Sequence, residues 1–432
     1  MTDKQSTTRK PLVSWALYDW ANSAYATTVM AGFFPLFFKQ YWSQDTPVTT
    51  STFYLGMGNS LASLIIVIAA PVLGAMADQG NLRKRMLASF ACAGILACIG
   101  FFFVGKGMWP AAIALYVIGI IGFSGANVFY DSLLVLVSPP DSRHRDSALG
   151  FALGYLGGGL LFLVNVIMTI KPALFGLADA AEAVRWSFLS VGLWWALFSI
   201  PLFLNVKEQD DTTRQKSTSP VDKPPVSILI RSAFASLLST LKSIRQHRNV
   251  WLFLLSYWLY IDGVATIIRM AVDYGLSIGL PANSLIIALL MVQFIGFPAT
   301  IIFGRLAERI GARRGLWIAL WVYVVATGYA VFMTSATEFY VLAVALGLVQ
   351  GATQSLSRSL FSHLIPQEKS GEYFGFMNMM GKAAAVVGPV LVGVVAYLTE
   401  DSRLGLLSIL ILFFAGMWML RLVEEPDHTV RL

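Results

Sequence analysis

Long apolar runs alternate with short polar stretches along almost the whole chain. A helix crosses the bilayer core with roughly 20 apolar residues, and runs of that length recur about twelve times here. The pattern predicts an all-α polytopic membrane protein with about twelve transmembrane helices. The predicted spans cover residues 13–38, 53–77, 86–104, 110–137, 148–170, 185–205, 250–276, 282–303, 316–334, 338–362, 372–398 and 404–423.

Composition supports the membrane assignment. Of the 432 residues, 56% are hydrophobic and only 13% are charged, whereas soluble domains carry about 25% charged residues. A water-soluble fold of this length is therefore excluded. The first apolar run is too long for a signal peptide, so we expect it to remain as a helix.

Basic residues concentrate in alternate loops, and this explains the net charge of +7. Cytoplasmic loops of membrane proteins carry an excess of Lys and Arg. Both termini are therefore predicted to be cytoplasmic, in a plasma (bacterial inner) membrane rather than a vacuolar one, and no nucleic-acid partner is expected. The clusters are Arg9 and Lys10, then Arg83 to Arg85, Arg143 and Arg145, residues 207–248, Arg309, Arg313 and Arg314, and Lys369.

One long polar segment divides the chain. Its stretch "KEQDDTTRQKSTSPVDKPP" is typical of a flexible linker. Apolar residues from Ile230 to Ile244 then recur at helical spacing among basic ones, which predicts an amphipathic helix on the cytoplasmic membrane face. The predicted organisation is an N-terminal six-helix bundle (1–205), a cytoplasmic linker (206–249) and a C-terminal six-helix bundle (250–432).

Two loops repeat each other in the two halves. "GAMADQGNLRKR" (74–85) and "GRLAERIGARRG" (304–315) share the spacing of glycine, alanine, acid and bases. Parallel six-helix repeats build the major facilitator superfamily, and the second loop resembles the superfamily signature between helices two and three. The resemblance implies a cytoplasmic gate, with simple topogenic charge as the alternative. The candidate gating residues are Asp78, Arg83, Glu308, Arg313, Arg314 and Arg358.

Longer motifs resemble one branch of that superfamily. "SWALYDWANSAYATTVMAGFFPLFF", "NVFYDSLL", "ALGFALGYLGGGL", "YWLYIDGVATI", "QGATQSLSRSLF" and "EYFGFMNMMGKAAAVVGP" are similar to the vacuole-effluxer-like, autophagy-related branch. The resemblance covers both halves and implies a twelve-helix transporter with the major-facilitator fold, built from two six-helix halves. A fungal member of the branch is associated with the release of amino acids from the vacuole, so the resemblance implies an amino acid as the cargo.

Polar residues inside the predicted spans mark the candidate transport pathway, because a charge at a helix centre costs about 2.5–3.5 kcal/mol on insertion scales. They fall mainly on spans one, four, seven, eight, ten and eleven. Three alternatives remain open: Asp19 anchors its helix at the interface, Arg269 pairs with Asp273, and Lys382 pairs with Asp262. The candidate binding or coupling residues are Asp19, Asn22, Tyr25, Asn127, Asp131, Asp262, Arg269, Gln293, Gln350, Gln354, Asn378 and Lys382.

These observations predict a secondary-active transporter that moves a small polar organic solute, an amino acid, by alternating access. Coupling to protons through Asp131 or Asp262 is one hypothesis. The alternatives are a flippase for lipids or lipid-linked precursors, and a membrane sensor that moves nothing. No nucleotide-binding loop and no Ser/His or metal constellation is evident at membrane depth, so no cofactor and no enzymatic activity are expected. We expect a monomer whose other partners are membrane lipids.

Overall fold

The protein is described by a computed structural model. It describes residues 2–80, 82–208, 247–277, 280–384, 387–399 and 402–425, together with residues 242 and 244. Most of the predicted amphipathic helix in the linker lies outside this part of the chain. Some side chains within the helices, including those of Arg269 and Asp273, also lie outside it.

The first half is a bundle of long helices that follow the apolar runs. α1 starts as an α-helix, Thr2–Ala24, and continues through Tyr25–Phe33, Phe34–Phe37 and Phe38–Trp42. The next five are α2 (Val48–Gly80), α3 (Arg83–Phe103), α4 (Trp109–Val137), α5 (Arg143–Ile170) and α6 (Ala180–Asn205). Large aromatic side chains such as Trp15, Trp42 and Trp195 fill the core of this half.

The second half has its own hydrophobic core, built around residues such as Tyr260, Tyr323 and Phe413. Its helices are α7 (Arg248–Ser277), α8 (Ala282–Ile310), α9 (Ala312–Ala330), α10 (Ala336–Leu364), α11 (Ser370–Ala384), α12 (Val387–Thr399), α13 (Ser402–Leu407) and α14 (Ile409–Arg421). The eleventh predicted span comprises α11 and α12, and the twelfth comprises α13 and α14.

Nine helices in the described ranges are long and apolar enough to cross a membrane. They correspond to nine of the predicted spans, and α1, α9 and the α11–α12 pair take the places of the other three. The bounds differ from the prediction mainly at α1 and α2, where helix extends beyond the apolar run into polar residues. Hydropathy detects the apolar stretch, whereas a helix continues as long as its backbone hydrogen bonds do.

α1 changes its winding halfway along. Tyr25–Phe33 and Phe38–Trp42 are π-helical, and Phe34–Phe37 between them is α-helical. π-helical turns occur frequently at functional sites. Here the change begins three residues after Asn22, one of the polar positions predicted from the sequence.

The two halves pack on each other mainly through two helix pairs. α5 lies against α8, and α2 lies against α11. Close approach of α2 to α11 depends on glycines, because a Cβ on Gly375 would lie 2.6 Å from the carbonyl oxygen of Ala70. α12, by contrast, packs mainly on α7, α13 and α14. Of the two helices that make up the eleventh predicted span, α11 is therefore the one that packs mainly on α2.

Candidate functional site

A layer of polar side chains lies between the two halves near the middle of the helices. Counting about 1.5 Å per residue, Asn127 and Gln354 each lie about 15 Å from the ends of their helices. These side chains are half-buried, and hydrogen bonds join several of them across the halves; we refer to the set as the central layer. The half-buried members are Asn127 and Asp131 from the first half, and Gln293, Gln350, Gln354, Asn378 and Lys382 from the second.

Hydrogen bonds connect these side chains within and across the halves. The Asn22 amide donates to Oδ1 of Asn127 at 2.6 Å, so α1 and α4 meet at this level. Across the halves, the Asn378 amide donates to Oδ2 of Asp131 at 3.3 Å. The Gln293 amide donates to the Thr27 hydroxyl at 3.0 Å. Polar groups of both halves therefore contribute to one site.

Arg358 lies directly beside this layer, about 9 Å from the end of α10. Its Nη1 donates to Oδ1 of Asp131 at 3.1 Å and lies 3.9 Å from Oδ2 of Asp19. Only 2% of Arg358 and 7% of Asp19 are exposed. The structure thus brings three sequence-predicted residues together, two acids from the first half and one base from the second.

The halves are held together at one end of the bundle. We call this end the basic face, because it carries Arg83, Arg143, Arg313 and Lys369. Asp78 of α2 accepts the amide N–H groups of Gly371 at 3.1 Å and Glu372 at 2.8 Å, in the first turn of α11. Its carboxylate also pairs with Arg83 at 2.7 Å. A carboxylate is stabilised at a helix N-terminus by the unpaired N–H groups and the helix dipole. Asp78 therefore joins the halves at this face.

Further bonds across the halves join α5 to α10 at the basic face. Arg143 donates to the carbonyl of Ser362 at 3.1 Å, and Ser147 donates to the carbonyl of Ser355 at 2.8 Å. His144 Nδ1 lies 2.9 Å from the Ser359 hydroxyl. These groups are buried. The halves are thus closed against each other at the basic face.

The second repeated loop makes contacts other than those the repeat implies. Glu308 lies 3.9 Å from Arg145 in the other half, and both side chains are substantially exposed. Arg313 donates instead to the carbonyl of Val423 at 2.5 Å, and its amide bonds Glu425 at 3.2 Å, while Arg314 is exposed. A local repeat cannot reveal contacts with the distant segment near residue 425.

Three further candidate residues are not among the half-buried members of the central layer. Tyr25 is fully buried between Phe123 and Trp195, inside the first half. Asp262 is 1% exposed, and both of its oxygens accept the amide of Gly388. The side chain of Arg269 is outside the described part. For Tyr25 and Asp262 the surroundings indicate packing and backbone capping.

Sequence reasoning missed several residues that the structure places at the site. The guanidinium of Arg358 lies against the rings of Phe151 at 4.1 Å, Trp15 at 4.8 Å and Tyr130 at 5.3 Å. Ser147 receives two further hydrogen bonds from it. Trp15, Tyr130 and Phe151 all occur in the motifs that resemble the effluxer branch, and those motifs are the sequence feature that could have identified them. Aromatic residues are so common in this chain that composition alone does not single them out.

Comparison with known proteins shows the family. The profile described as "Vacuole effluxer Atg22 like" matches residues 45–145 and 137–429. The MFS-type transporter YxiO of Bacillus subtilis (strain 168) is 37% identical over 418 residues, covering 96% of this chain and 95% of YxiO. Autophagy-related protein 22 of Yarrowia lipolytica (strain CLIB 122 / E 150) is 25% identical, covering 84% of this chain and 74% of that protein.

Solved structures show the same fold at low sequence identity. The human organic anion transporter MFSD10 (TETRAN) has a TM-score of 0.71 at 15% identity, covering 96% of this chain and 99% of that one. The proton:xylose symporter XylE has a TM-score of 0.68 at 15% identity, covering 97% and 96%. These structures establish the architecture. Together with the family match, they show that this chain belongs to the Atg22-like vacuole effluxer family of major facilitator transporters.

Proposed function

We propose that this transporter moves a small polar organic solute, an amino acid, across the plasma membrane by alternating access. The observation that carries the proposal is the half-buried polar layer formed jointly by the two halves. Asp131 on α4 and Lys382 on α11 contribute opposite charges to it, and Asn127, Gln354 and Asn378 contribute carboxamides. Such a layer suits a zwitterion, with its ammonium toward Asp131 and its carboxylate toward Lys382.

The closed basic face supports alternating access. If the termini are cytoplasmic, as the loop charges predict, this conformation is closed toward the cytoplasm. Opening there would separate Asp78 from α11 and Arg358 from Asp131, so the halves would have to part as rigid bodies. A solute drives such a change only by binding one state more tightly than the other. Ligand groups that bridge Asp131 and Lys382 would do this, because the two residues lie in different halves.

The proposal is tested by binding and flux together. Purified full-length protein is screened by thermal shift against amino acids, peptides, nucleosides and lipids, since a ligand that binds only the native state raises Tm. Proteoliposome flux of each hit is then measured with and without a pH gradient. We expect amino acids to stabilise the protein and to be transported.

The matched variants are Asn127→Ala in the polar layer and Asn205→Ala at the end of α6, where the Asn205 amide donates to the Ser14 hydroxyl at 2.9 Å. Flux should fall for Asn127→Ala and stay near wild type for Asn205→Ala. Stabilisation by lipids alone would favour a flippase instead. Amino-acid binding without flux would favour a sensor.

A further inference from the structure

Arg358 belongs to the second half, but its guanidinium is held almost entirely by the first. Nε donates to the Ser147 hydroxyl at 2.9 Å and Nη2 donates to the Ser147 carbonyl at 2.8 Å. Nη1 faces Asp131 at 3.1 Å and Asp19 at 3.9 Å. These groups come from α1, α4 and α5. We call them, together with the rings of Trp15, Tyr130 and Phe151, the guanidinium socket.

The walls of the socket are built by contacts within the first half. Trp15 stacks on Tyr130 with ring centroids 4.6 Å apart, and its indole N–H donates to the Tyr130 carbonyl at 2.9 Å. The Tyr130 hydroxyl donates to Asp19 at 3.3 Å. These contacts lie within the first half and do not involve Arg358, so they can form without the arginine.

The socket has the chemistry of an organic-cation site. Aromatic faces attract ammonium and guanidinium groups, most strongly where water is excluded, and two carboxylates add charge complementarity. The socket already holds one such cation, the tethered guanidinium of Arg358. A free ammonium or guanidinium group would present the same chemistry to these walls.

Opening the basic face would withdraw Arg358 together with α10. Asp19 and Asp131 would then lose their counter-ion, and the two carboxylates would attract another cation. Such a cation could enter the socket from the open side. The aromatic walls favour an organic cation over a small metal ion, which keeps its water shell.

We propose that the guanidinium socket is the binding site for the cationic group of the cargo, an ammonium or guanidinium, and that this group and Arg358 occupy it in turn. The inference rests on the proposed function for the identity of the cargo. The consequence is an exchange. The basic face can close only after the cargo cation has left the socket, because Arg358 must then re-enter it. Closure of the basic face is thereby coupled to cargo binding through one site.

A first experiment tests the ligand chemistry of the socket. Arg358→Ala removes the tethered guanidinium, and methylguanidinium is added to the purified full-length variant. We expect methylguanidinium to raise its Tm, whereas the neutral N-methylurea and Na⁺ at equal concentration leave Tm unchanged. The rise should be lost in Arg358→Ala combined with Asp131→Asn. Equal effects of methylguanidinium and N-methylurea would overturn the assignment.

A second experiment tests the exchange with Arg358 in place. Spin labels are attached at Asp141→Cys and Gln367→Cys, exposed sites in different halves at the basic face, in a chain with Cys92→Ala and Cys98→Ala. Methylguanidinium should increase the population with a long distance between the labels, and Asp131→Asn should abolish the increase. An unchanged distance distribution at saturating methylguanidinium would refute the exchange. Neither measurement requires amino-acid flux. Failure of the amino-acid transport proposal can therefore be distinguished from failure of the cation-site proposal.

Discussion

The carboxylate of Asp262 on α7 accepts the backbone N–H of Gly388 on α12 with both oxygens, at 3.0 and 2.9 Å. The Thr266 hydroxyl lies 3.5 Å from the same carboxylate. A buried acid that accepts a backbone amide satisfies a donor that membrane burial would otherwise leave unpaired. We therefore infer that Asp262 fixes the packing of α12 on α7, and that Asp131 is the stronger candidate for contact with the cargo.

The first prediction follows from this relationship. Asp262→Ala should destabilise the protein by about 1–3 kcal/mol, because the Gly388 amide loses its charged acceptor. Gly388→Ala should also destabilise it, since a methyl group there would overlap Thr266 and the Asp262 carboxylate. Thermal unfolding in detergent measures both changes. Thr399→Ala, at an exposed position on the same helix, is the control, and wild-type Tm in Asp262→Ala would contradict the inference.

The second prediction separates the two repeated loops. Asp78→Ala should open the basic face much more than Glu308→Ala. The Asp78 side chain is only 7% exposed and makes charged hydrogen bonds to α11, each worth about 1.5–3 kcal/mol. Glu308 and Arg145 form an exposed pair at 3.9 Å, and such pairs contribute roughly 0–1 kcal/mol.

The measurement is the labelling rate of a cysteine placed at the buried Ser359 position, which becomes accessible only when the halves part. A higher rate in Asp78→Ala than in Glu308→Ala is expected, with Asn205→Ala as the control at the wild-type rate. Equal rates in the two acid variants would show that the repeated loops contribute alike.

How much of the fold and the site could be predicted from the sequence depends on how far apart in the chain the interacting residues lie. Hydropathy and loop charge report on local segments, and the twelve-helix, two-half architecture predicted from them is confirmed. Residues four apart on a helix, such as Asn127 and Asp131 on α4, share a face, and this can be read from the sequence alone. The contact of Arg358 with Asp131 joins residues 227 positions apart, and no periodicity within a helix can reveal it.

The role of Arg358 illustrates the same limit. The sequence marked it as a gating candidate near the end of a span, but the socket that holds it is assembled from α1, α4 and α5. Similarly, Glu425 bonds the amide of Ala312 at 2.7 Å, although it lies in a polar tail without a recognisable pattern. Contacts of this kind arise from tertiary packing, so only the structure identifies them.

The third prediction concerns orientation. An accessible tag after Leu432 and a tag within residues 210–225 should both be cytoplasmic, and a tag near Thr46 should be external, because the basic loops are expected to stay inside. Impermeant labelling of intact and permeabilised cells measures this. External labelling of the tag within 210–225 would contradict the twelve-span topology.

The fourth prediction addresses the carboxylate of the cargo. Lys382 lies on α11, four residues after Asn378, so the two share a helix face, and both side chains are half-buried in the central layer. If Lys382 meets the carboxylate directly, Lys382→Ala should weaken amino-acid binding by roughly 1.5–3 kcal/mol, about 10- to 150-fold. Isothermal titration of the amino acid identified in the thermal-shift screen measures the change.

The corresponding amine, which lacks the carboxylate, is the matched ligand: it should bind wild type and Lys382→Ala with equal affinity. Lys382→Arg is the matched variant, because it keeps the positive charge, and it should retain more affinity for the amino acid than Lys382→Ala. The opposite result is equally informative. If the amino acid binds Lys382→Ala as tightly as wild type while Asp131→Asn weakens binding, the cargo is held through its cation alone, and Lys382 has a structural role.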